Sequence, residues 1–437
     1  MSQKPASESP STLLLGNGRL IDPASGYDGP GGVLIEDGVI WDVGAHLFQA
    51  KAAKGAAIHD CQGAVIAPGL VDMRVFVGEP GEEHRETFRT AGAAAAAGGI
   101  TTLICMPDTK PPLDDVAAID FVKRRARDRS LVRVYPMAAL TKGCAGHEMT
   151  ELGLLKEVGA IAYTDGAKTV TNAQVLRRAL SYGQMFDALI VQHCEDPDLV
   201  GEGVMNDGEF AARLGLPGVP QEAESIILER DMRLLAMAGG RYHAALVSCT
   251  QSLDVLRRAK AAGLSVTAGV SINNLTFNDH DIGPYRTFFK LAPPLRSEEQ
   301  RLALVAALAE GLIDVVVSDH NPQDVETKRL TFTEAANGAA GLETMLSAGL
   351  RLVEAGHMPL IRLIESLSSA PSRILGLPTG TLAAGAPADV IVFDPDEPWI
   401  CDPKALRGRC KNTPFDGAKM QGRVHATLVA GKMVFKL

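Results

Sequence analysis

Residues 68–81 read PGLVDMRVFVGEPG, in which two charged side chains, Asp72 and Arg74, interrupt the apolar run of residues 70–77. Side chains of a β-strand alternate between its two faces, so Asp72, Arg74 and Phe76 share one face of a predicted strand. In barrel enzymes, side chains that point inward at the end of such a strand often bind a catalytic metal. Arginine and phenylalanine offer no lone pair with which to coordinate zinc. The stretch therefore predicts a barrel strand whose end lacks the side chains for metal chemistry.

Strand-like and helix-like runs alternate through the middle of the chain. The predicted strands are LVDMRVF, ITTLIC, VRVYPM, AIAYT, ALIVQH, HAALVS, LSVTAG and DVVVS. Helical patterns such as NAQVLRRALSYG and EEQRLALVAALAE follow most of them. Eight strands, each followed by a helix, predict an α/β fold of the (β/α)8 TIM-type barrel class. An open, doubly wound sheet is the structural alternative, although no GxGxxG motif follows the first strand.

The two ends of the chain have a different pattern, in which short β runs alternate with Gly and Asp turns. Residues 36–38 (EDG) and 430–432 (AGK) lie between strand-like runs, as the tight turns of hairpins require. Neither end has enough strands for a stable sheet of its own. We therefore expect residues 1–65 and 378–437 to form one small composite β-sandwich beside a barrel of residues 66–377.

The composition is that of a globular protein, with 46% hydrophobic and 22% charged residues among 437. The net charge of −9 argues against nucleic acid or an anionic membrane as the main partner. The seven cysteines never form a CxxC pair, which predicts reduced thiols rather than disulfides or a Cys-based zinc site. The opening MSQKPASESPST lacks the apolar core of a signal peptide and is expected to be a disordered tail. These features, with no apolar run long enough to cross a bilayer, predict a cytoplasmic protein.

Polar side chains end several predicted strands, where barrels of this type place their chemistry. Asp165 ends AIAYTD, His193 ends ALIVQH and Asp319 ends DVVVSD. Any one of them alone could be a satisfied interior hydrogen-bonding group. Interior charges are costly unless they are paired, so three such groups at one mouth favour a site or the remains of one.

Seven segments, in this order and spacing, resemble the dihydroorotases of the amidohydrolase superfamily. They are PGLVDMRVFVGEPG, AGGITTLICMPDTKPP, QHCEDPDL, KLAPPLR, SDHNPQ, ANGAAGLET and KNTPFDG. The resemblance covers nearly the whole chain and implies a barrel with a composite β-sandwich from both termini. It also implies the family's reaction in pyrimidine biosynthesis, in which zinc activates a water that opens the cyclic amide dihydroorotate and an Asp moves the proton.

Mapped onto this family, three of six metal-site positions keep a suitable side chain. The retained positions are Asp165 as a bridging carboxylate, His193 as the fifth-strand ligand and Asp319 as the proton shuttle. The three replaced positions are Arg74 and Phe76, where the family has His-x-His, and one position in the pair Asn273-Asn274, where the family has a later His pair that supplies one ligand. The resemblance therefore implies a vestigial metal site.

Positions that would bind the substrate have changed as well. The resemblance places Gly78 where an Arg precedes Glu-Pro-Gly, Asp108 in place of Asn, Ala292 in place of Asn and Gln323 in place of His. An aspartate at position 108 would repel an anionic substrate. The combined loss of metal ligands and of carboxylate-binding groups indicates loss of the reaction.

Two interior carboxylates, Asp165 and Asp319, would repel each other in a barrel mouth that lacks a dication. The guanidinium of Arg74 can supply the missing positive charge and donate hydrogen bonds to both. We therefore expect Arg74 to occupy the zinc position and to pair with Asp319 or Asp165. The alternative is that Arg74 only extends from the barrel rim into solvent.

Two functions remain open. The first is an inactive dihydroorotase-like subunit that forms a homo-oligomer and needs no cofactor, and the resemblance implies aspartate carbamoyltransferase as its partner. The second is a working zinc-dependent dihydroorotase or related cyclic amidohydrolase, with Asp165, His193 and Asp319 as its three ligands. Because Arg74 beside them would oppose a dication, the sequence favours the inactive subunit.

Overall fold

The computed structural model describes residues 12–49 and 56–437. The N-terminal segment for which we expect disorder lies outside the described residues, apart from Thr12, and so does part of the range 1–65. All seven cysteines are buried and free, as their spacing predicts. None of the helices in the described part of the chain combines the length and apolarity needed to cross a membrane.

The chain is a mixed α/β protein. Its described strands are, in order, β1 (Leu13–Asp22), β2 (Tyr27–Glu36), β3 (Val39–Gly44), β4 (Ala57–Asp60), β5 (Val65–Pro68), β6 (Leu70–Val75), β7 (Ile100–Cys105), β8 (Arg133–Pro136), β9 (Ala138–Ala139), β10 (Tyr163–Thr164), β11 (Leu189–Gln192), β12 (Met205–Asn206), β13 (Gly218–Val219), β14 (Arg241–Ala244), β15 (Val266–Ser271), β16 (Val315–Val317), β17 (Val390–Ile400), β18 (Lys419–Val429) and β19 (Lys432–Lys436). Its described α-helices are α1 (Phe88–Ala97), α2 (Val116–Arg129), α3 (Leu152–Glu157), α4 (Ala173–Gly183), α5 (Pro197–Val200), α6 (Glu209–Leu214), α7 (Glu222–Ala238), α8 (Thr250–Ala261), α9 (Ile272–Thr276), α10 (Glu298–Ala309), α11 (Val325–Lys328), α12 (Met345–Glu354), α13 (Leu360–Ile364) and α14 (Ala370–Leu375).

Side-chain caps fix where several of the helices begin. Asp115, Asn172 and Ser297 precede α2, α4 and α10, and each accepts a hydrogen bond from a backbone N–H in the first turn. Such caps satisfy donors that would otherwise have no partner within the helix. The predicted helices therefore start where a short polar side chain meets an apolar repeat.

Strands from both ends of the chain join one sheet, in the order β19-β18-β17-β5-β1-β2-β3, with β4 beside β1. The connection between the two ends is antiparallel pairing of β5 with β17. Both predicted tight turns are confirmed, because Asp37, Gly38, Ala430 and Gly431 all have positive φ angles between paired strands. A separate apolar cluster that includes Leu15, Val33, Ile66 and Val390 packs on this sheet.

The described strands of the middle region pair in parallel, in three further sheets. Two of them have the orders β6-β7-β8 and β16-β15-β14-β11-β10-β9, and the third is the short pair β12-β13. β8 and β9 belong to one continuous segment, residues 133–139, so this segment bonds to both of the larger sheets. At the opposite edges, Val75 at the end of β6 forms a parallel bridge with His320, just past β16. The strand ends that carry the polar residues are thereby brought near one another.

Asp72 joins the first and last of these parallel strands. It is fully buried and accepts hydrogen bonds from the Ser318 hydroxyl, the Ser318 N–H (3.4 Å) and the Arg74 N–H (3.2 Å). Burial raises the pKa of Asp72 to about 6, and the hydrogen bonds from Ser318 oppose that rise. The carboxylate therefore fixes the backbone that presents Arg74.

We expect Asp72→Ala and Ser318→Ala to be coupled. Asp72→Ala leaves the buried Ser318 hydroxyl without its acceptor, at a cost of about 1–3 kcal/mol in the free energy of unfolding. The free energy of unfolding should fall less in the double variant than the sum of the two single losses, since both substitutions remove the same contact. Urea denaturation of the four proteins measures this, and strictly additive losses would contradict the role given to Asp72.

Candidate active site: a buried ion pair at the strand ends

Arg74 points into the protein and forms an ion pair there. Its side chain is 9% exposed, and its Nε–H donates to Asp319 Oδ1 at 3.1 Å. The expected pairing with Asp319 is confirmed, and the alternative of an arginine extended into solvent is wrong. Burial raises the pKa of Asp319, and the nearby charge of Arg74 opposes that rise.

The backbone of Asp319 is unusual. Its φ of 51° lies in the left-handed region, which residues other than glycine seldom adopt. The residue follows directly after β16 and the Ser318 that binds Asp72. Local strain and burial together place this carboxylate against Arg74 rather than in water.

Asp165 is held by a different partner. Its Oδ1 accepts from the Thr141 N–H at 2.8 Å, and its Oδ2 accepts from the Thr141 hydroxyl. Burial raises the pKa of Asp165, whereas the bonds from Thr141 lower it. The hydrogen bonds from Thr141 thus satisfy the Asp165 carboxylate, which forms no ion pair with Arg74.

His193 is hydrogen-bonded to a residue that the sequence patterns did not single out. Its Nε2 lies 2.7 Å from Glu195 Oε2, and both side chains are nearly buried. Burial would raise the pKa of Glu195, but the charges of His193, Arg296 and Arg74 lower it overall. The signal was present in the sequence, because residues two apart at the end of a strand share a face.

At the positions where the family has histidines, the side chains of this chain make other contacts. The Arg85 guanidinium stacks on the Phe76 ring, with its central carbon 3.9 Å from the ring centroid. Asn274 Nδ2 donates to the Pro294 carbonyl at 3.0 Å, and Asn273 Nδ2 to Ser271 Oγ at 3.3 Å. Phe76, Asn273 and Asn274 thus make contacts that differ from those of a metal ligand.

The four altered substrate positions lie in different environments. At Gly78 an added Cβ would lie 2.2 Å from the Glu82 carbonyl oxygen, so the loop leaves no room for a side chain. Asp108 accepts from the Ala167 N–H at 3.3 Å; burial raises its pKa and the charge of Arg74 opposes the rise. Gln323 donates to the Asn337 carbonyl at 2.7 Å. Ala292 is half-buried.

The arrangement does not fit a zinc ion. In the described ranges, no set of three His, Cys, Asp or Glu ligand atoms within 4.8 Å of one another includes Asp165, His193 or Asp319. A catalytic zinc needs about three such ligands and an open position for water. The charge of Arg74, which acts on Asp319, would also repel a dication. Below Arg74 the interior leaves a cavity of only ≈ 10 Å³, lined largely by apolar side chains.

Comparison with known proteins identifies relatives over almost the full length. A family model described as dihydro-orotase-like matches residues 63–252. The dihydroorotase of Pelobacter propionicus is 41% identical over 424 residues, covering 97% of this chain and 99% of that protein. The dihydroorotase of Anaeromyxobacter dehalogenans strain 2CP-1 is 42% identical and covers 97% of each chain.

Solved structures of similar shape are also found. The L-hydantoinase (dihydropyrimidinase) from Arthrobacter aurescens superposes with a TM-score of 0.86 at 26% identity, over 97% of this chain and 96% of that one. The D-hydantoinase from Thermus sp. superposes with a TM-score of 0.83 at 24% identity, over 97% and 96%.

Arg74→Ala is expected to lower the free energy of unfolding by about 3–5 kcal/mol, because it leaves the Asp319 carboxylate buried and uncompensated. Adding Asp319→Ala should recover part of that loss, since the unpaired charge is then removed. Denaturant unfolding of the wild type, both single variants and the double variant measures the effect. An Arg74→Ala variant with the same free energy of unfolding as the wild type would contradict the charge-compensating role.

Proposed function

The chain belongs to the dihydroorotase family of the amidohydrolase superfamily, and we propose that it is a catalytically inactive member that acts as a structural subunit in pyrimidine biosynthesis. The observation that carries this proposal is the buried ion pair between Arg74 and Asp319. It joins the residue in the position of a missing metal ligand to the residue in the position of the proton shuttle. The hydrogen bond from the guanidinium occupies a carboxylate oxygen that a proton shuttle would have to direct at the reacting water.

The donor groups that remain support the same proposal. Asp165 is bound by Thr141, His193 by Glu195, and Asp319 by Arg74. A guanidinium can neutralise charge, but it has no empty orbital with which to polarise a carbonyl or acidify a bound water as zinc does. We therefore infer that the barrel mouth needs no cofactor.

The substrate positions add an independent argument. A cyclic amide that carries a carboxylate needs a cationic group to bind that carboxylate, and Gly78 cannot supply one. The loop at Gly78 is closed by a hydrogen bond from the Glu82 N–H to the Gly78 carbonyl at 2.6 Å. Asp108 adds negative charge nearby, which disfavours an anion.

We further propose that the eight parallel strands of the middle region form a closed (β/α)8 barrel. Two observations support closure over an open, doubly wound sheet. Residues 133–139 bond to both of the larger parallel sheets, and the Val75–His320 bridge joins their other edges. In this proposal the barrel comprises residues 66–377, and residues 1–65 and 378–437 form the β-sandwich.

We propose that the barrel, without catalytic activity, serves in the assembly of a protein complex. The partner would be aspartate carbamoyltransferase, with this chain as a homo-oligomeric scaffold in the cytoplasm. The sequence aligns over 97% of the length of the Anaeromyxobacter dehalogenans dihydroorotase, which supports a scaffold that is kept as a whole. Seven free thiols suit a reducing compartment.

The second candidate is an active zinc-dependent dihydroorotase or a related cyclic amidohydrolase. One observation favours it. Asp108 Oδ1, His193 Nδ1 and Asn273 Oδ1 are buried and have no hydrogen-bond partner among the described residues. Unsatisfied buried polar atoms are rare in native proteins, and a bound metal or ligand would satisfy them.

We expect the purified protein to hydrolyse no dihydroorotate above the blank, with or without added zinc, because no dication can be held against Arg74. The matched control is the Pelobacter propionicus dihydroorotase, purified and assayed in the same way. Turnover by this chain that a chelator abolishes would establish the second candidate and exclude the inactive subunit.

We also expect the protein to co-elute with the aspartate carbamoyltransferase of its own organism on a sizing column at micromolar concentration. Asp319→Asn should co-elute equally well, because a scaffold uses its surface and not the buried pair. Separate elution of the two wild-type proteins would contradict the scaffold function, whatever the result of the activity assay.

A further inference from the structure

A second group of metal-binding side chains lies far from Arg74 in the sequence, on the sheet that unites the two chain ends. A cleft of ≈ 770 Å³ opens there, where β17 and β18 meet the segment after β4. Its lining is rich in carboxylate and imidazole groups, namely His59, Asp60, Asp394, Asp396, Glu397 and His425. No residue of the proposed barrel site lines this cleft.

Two irregularities in the pairing of β17 with β18 create the arrangement. Val392 pairs with Ala426 and Phe393 with Val424, so His425 has no partner across the ladder. Asp394 pairs with Arg423 and Pro398 with Gln421, so residues 395–397 oppose Gly422 alone. Such bulges change the direction of side chains, and they are over-represented next to functional sites.

The bulges bring three donor groups to one point. Asp394, Glu397 and His425 each offer a ligand atom within 4.8 Å of the other two. Across the described residues 12–49 and 56–437, this is the one such set of three His, Cys, Asp or Glu. All three are half-buried, and His425 Nε2 lies 2.6 Å from Glu397 Oε2.

We propose that Asp394, Glu397 and His425 form a binding site for a divalent cation of the zinc class. One imidazole nitrogen with two carboxylate oxygens is a donor set that zinc accepts in proteins. Zinc–ligand bonds of roughly 2.1 Å place ligand atoms about 3.4 Å apart in a tetrahedron, so small side-chain rotations suffice. The cation takes the place of the hydrogen shared between His425 and Glu397.

The imidazoles distinguish this site from an ordinary acidic surface. His59 comes from β4, on a distant part of the chain, and lines the same cleft, but it does not belong to the set of three ligand atoms that lie within 4.8 Å of one another. The three ligands leave the fourth position of a zinc tetrahedron to water. The cation would then link β17 to β18.

Positive groups at the rim set the site's selectivity. Arg423 donates to Glu397 Oε1 at 3.2 Å, which leaves Oε2 facing His425. Ca²⁺ needs more oxygen ligands than these two carboxylates supply, and Mg²⁺ prefers oxygen ligands to the imidazole nitrogen of His425. The nitrogen donor and the low oxygen count favour zinc over these cations.

The test is zinc binding by the full-length protein after a chelator has been removed by dialysis, measured by calorimetry with zinc chloride alone. We expect the wild type to bind one equivalent at micromolar or lower concentration. His425→Ala and Glu397→Gln should each weaken binding at least tenfold. His46→Ala is the matched control, because His46 forms a similar exposed pair with Asp42 (2.8 Å) without a third ligand, and it should bind zinc as the wild type does.

The outcomes separate this site from the barrel. If His425→Ala loses the one equivalent of bound zinc and His193→Ala keeps it, the result supports the inference. Loss in His193→Ala but not in His425→Ala overturns it and at the same time contradicts the proposed inactive barrel. No binding at 100-fold excess zinc overturns the inference and leaves the proposed function standing. Circular dichroism of each variant without metal confirms that loss of binding does not reflect unfolding.

Discussion

A buried carboxylate must be compensated by hydrogen bonds or by a positive partner, and this requirement governs the strand ends of the molecule. Asp319 is 8% exposed and follows directly after the last parallel strand, and Arg74 on the first parallel strand meets it at 3.1 Å. In a metal-dependent relative a dication could meet the same requirement. Here a side chain meets it, so the charge is fixed by the sequence and does not depend on any bound ion.

The fold does not depend on which group supplies that charge. Asp72 links the first and last parallel strands through Ser318, and the pairing of β5 with β17 joins the chain ends, without any of the replaced positions. The contacts that define the architecture therefore do not depend on a metal site. This separation between scaffold and site is why a family fold alone cannot establish a family reaction.

Local patterns in the sequence were enough to locate the elements, and the run ITTLIC is the strand β7 itself. Alternation placed Arg74 on the inner face, and the cost of a buried carboxylate limited its expected partner to Asp319 or Asp165, of which the structure shows Asp319. The bonds from Thr141 to Asp165 were not predicted, because they depend on loop geometry after the strands, and the contact of His193 with Glu195 was missed although the spacing of the two residues indicated it. The stacking of Arg85 on Phe76 was not predicted either, since nothing local indicates which ring a long cationic side chain will cover.

Because of these contacts, a single substitution to the family's residue at position 74, 76 or 78 would destabilise the protein. A histidine at position 74 would remove the partner of Asp319 before any cation had arrived to replace it. A histidine at position 76 would remove the ring on which Arg85 packs while Arg85 still binds the Pro322 carbonyl at 2.9 Å. An arginine at position 78 would require the Glu82 carbonyl to move. Each single reversion costs stability without completing a site, so the present arrangement is held in place by packing as well as by charge.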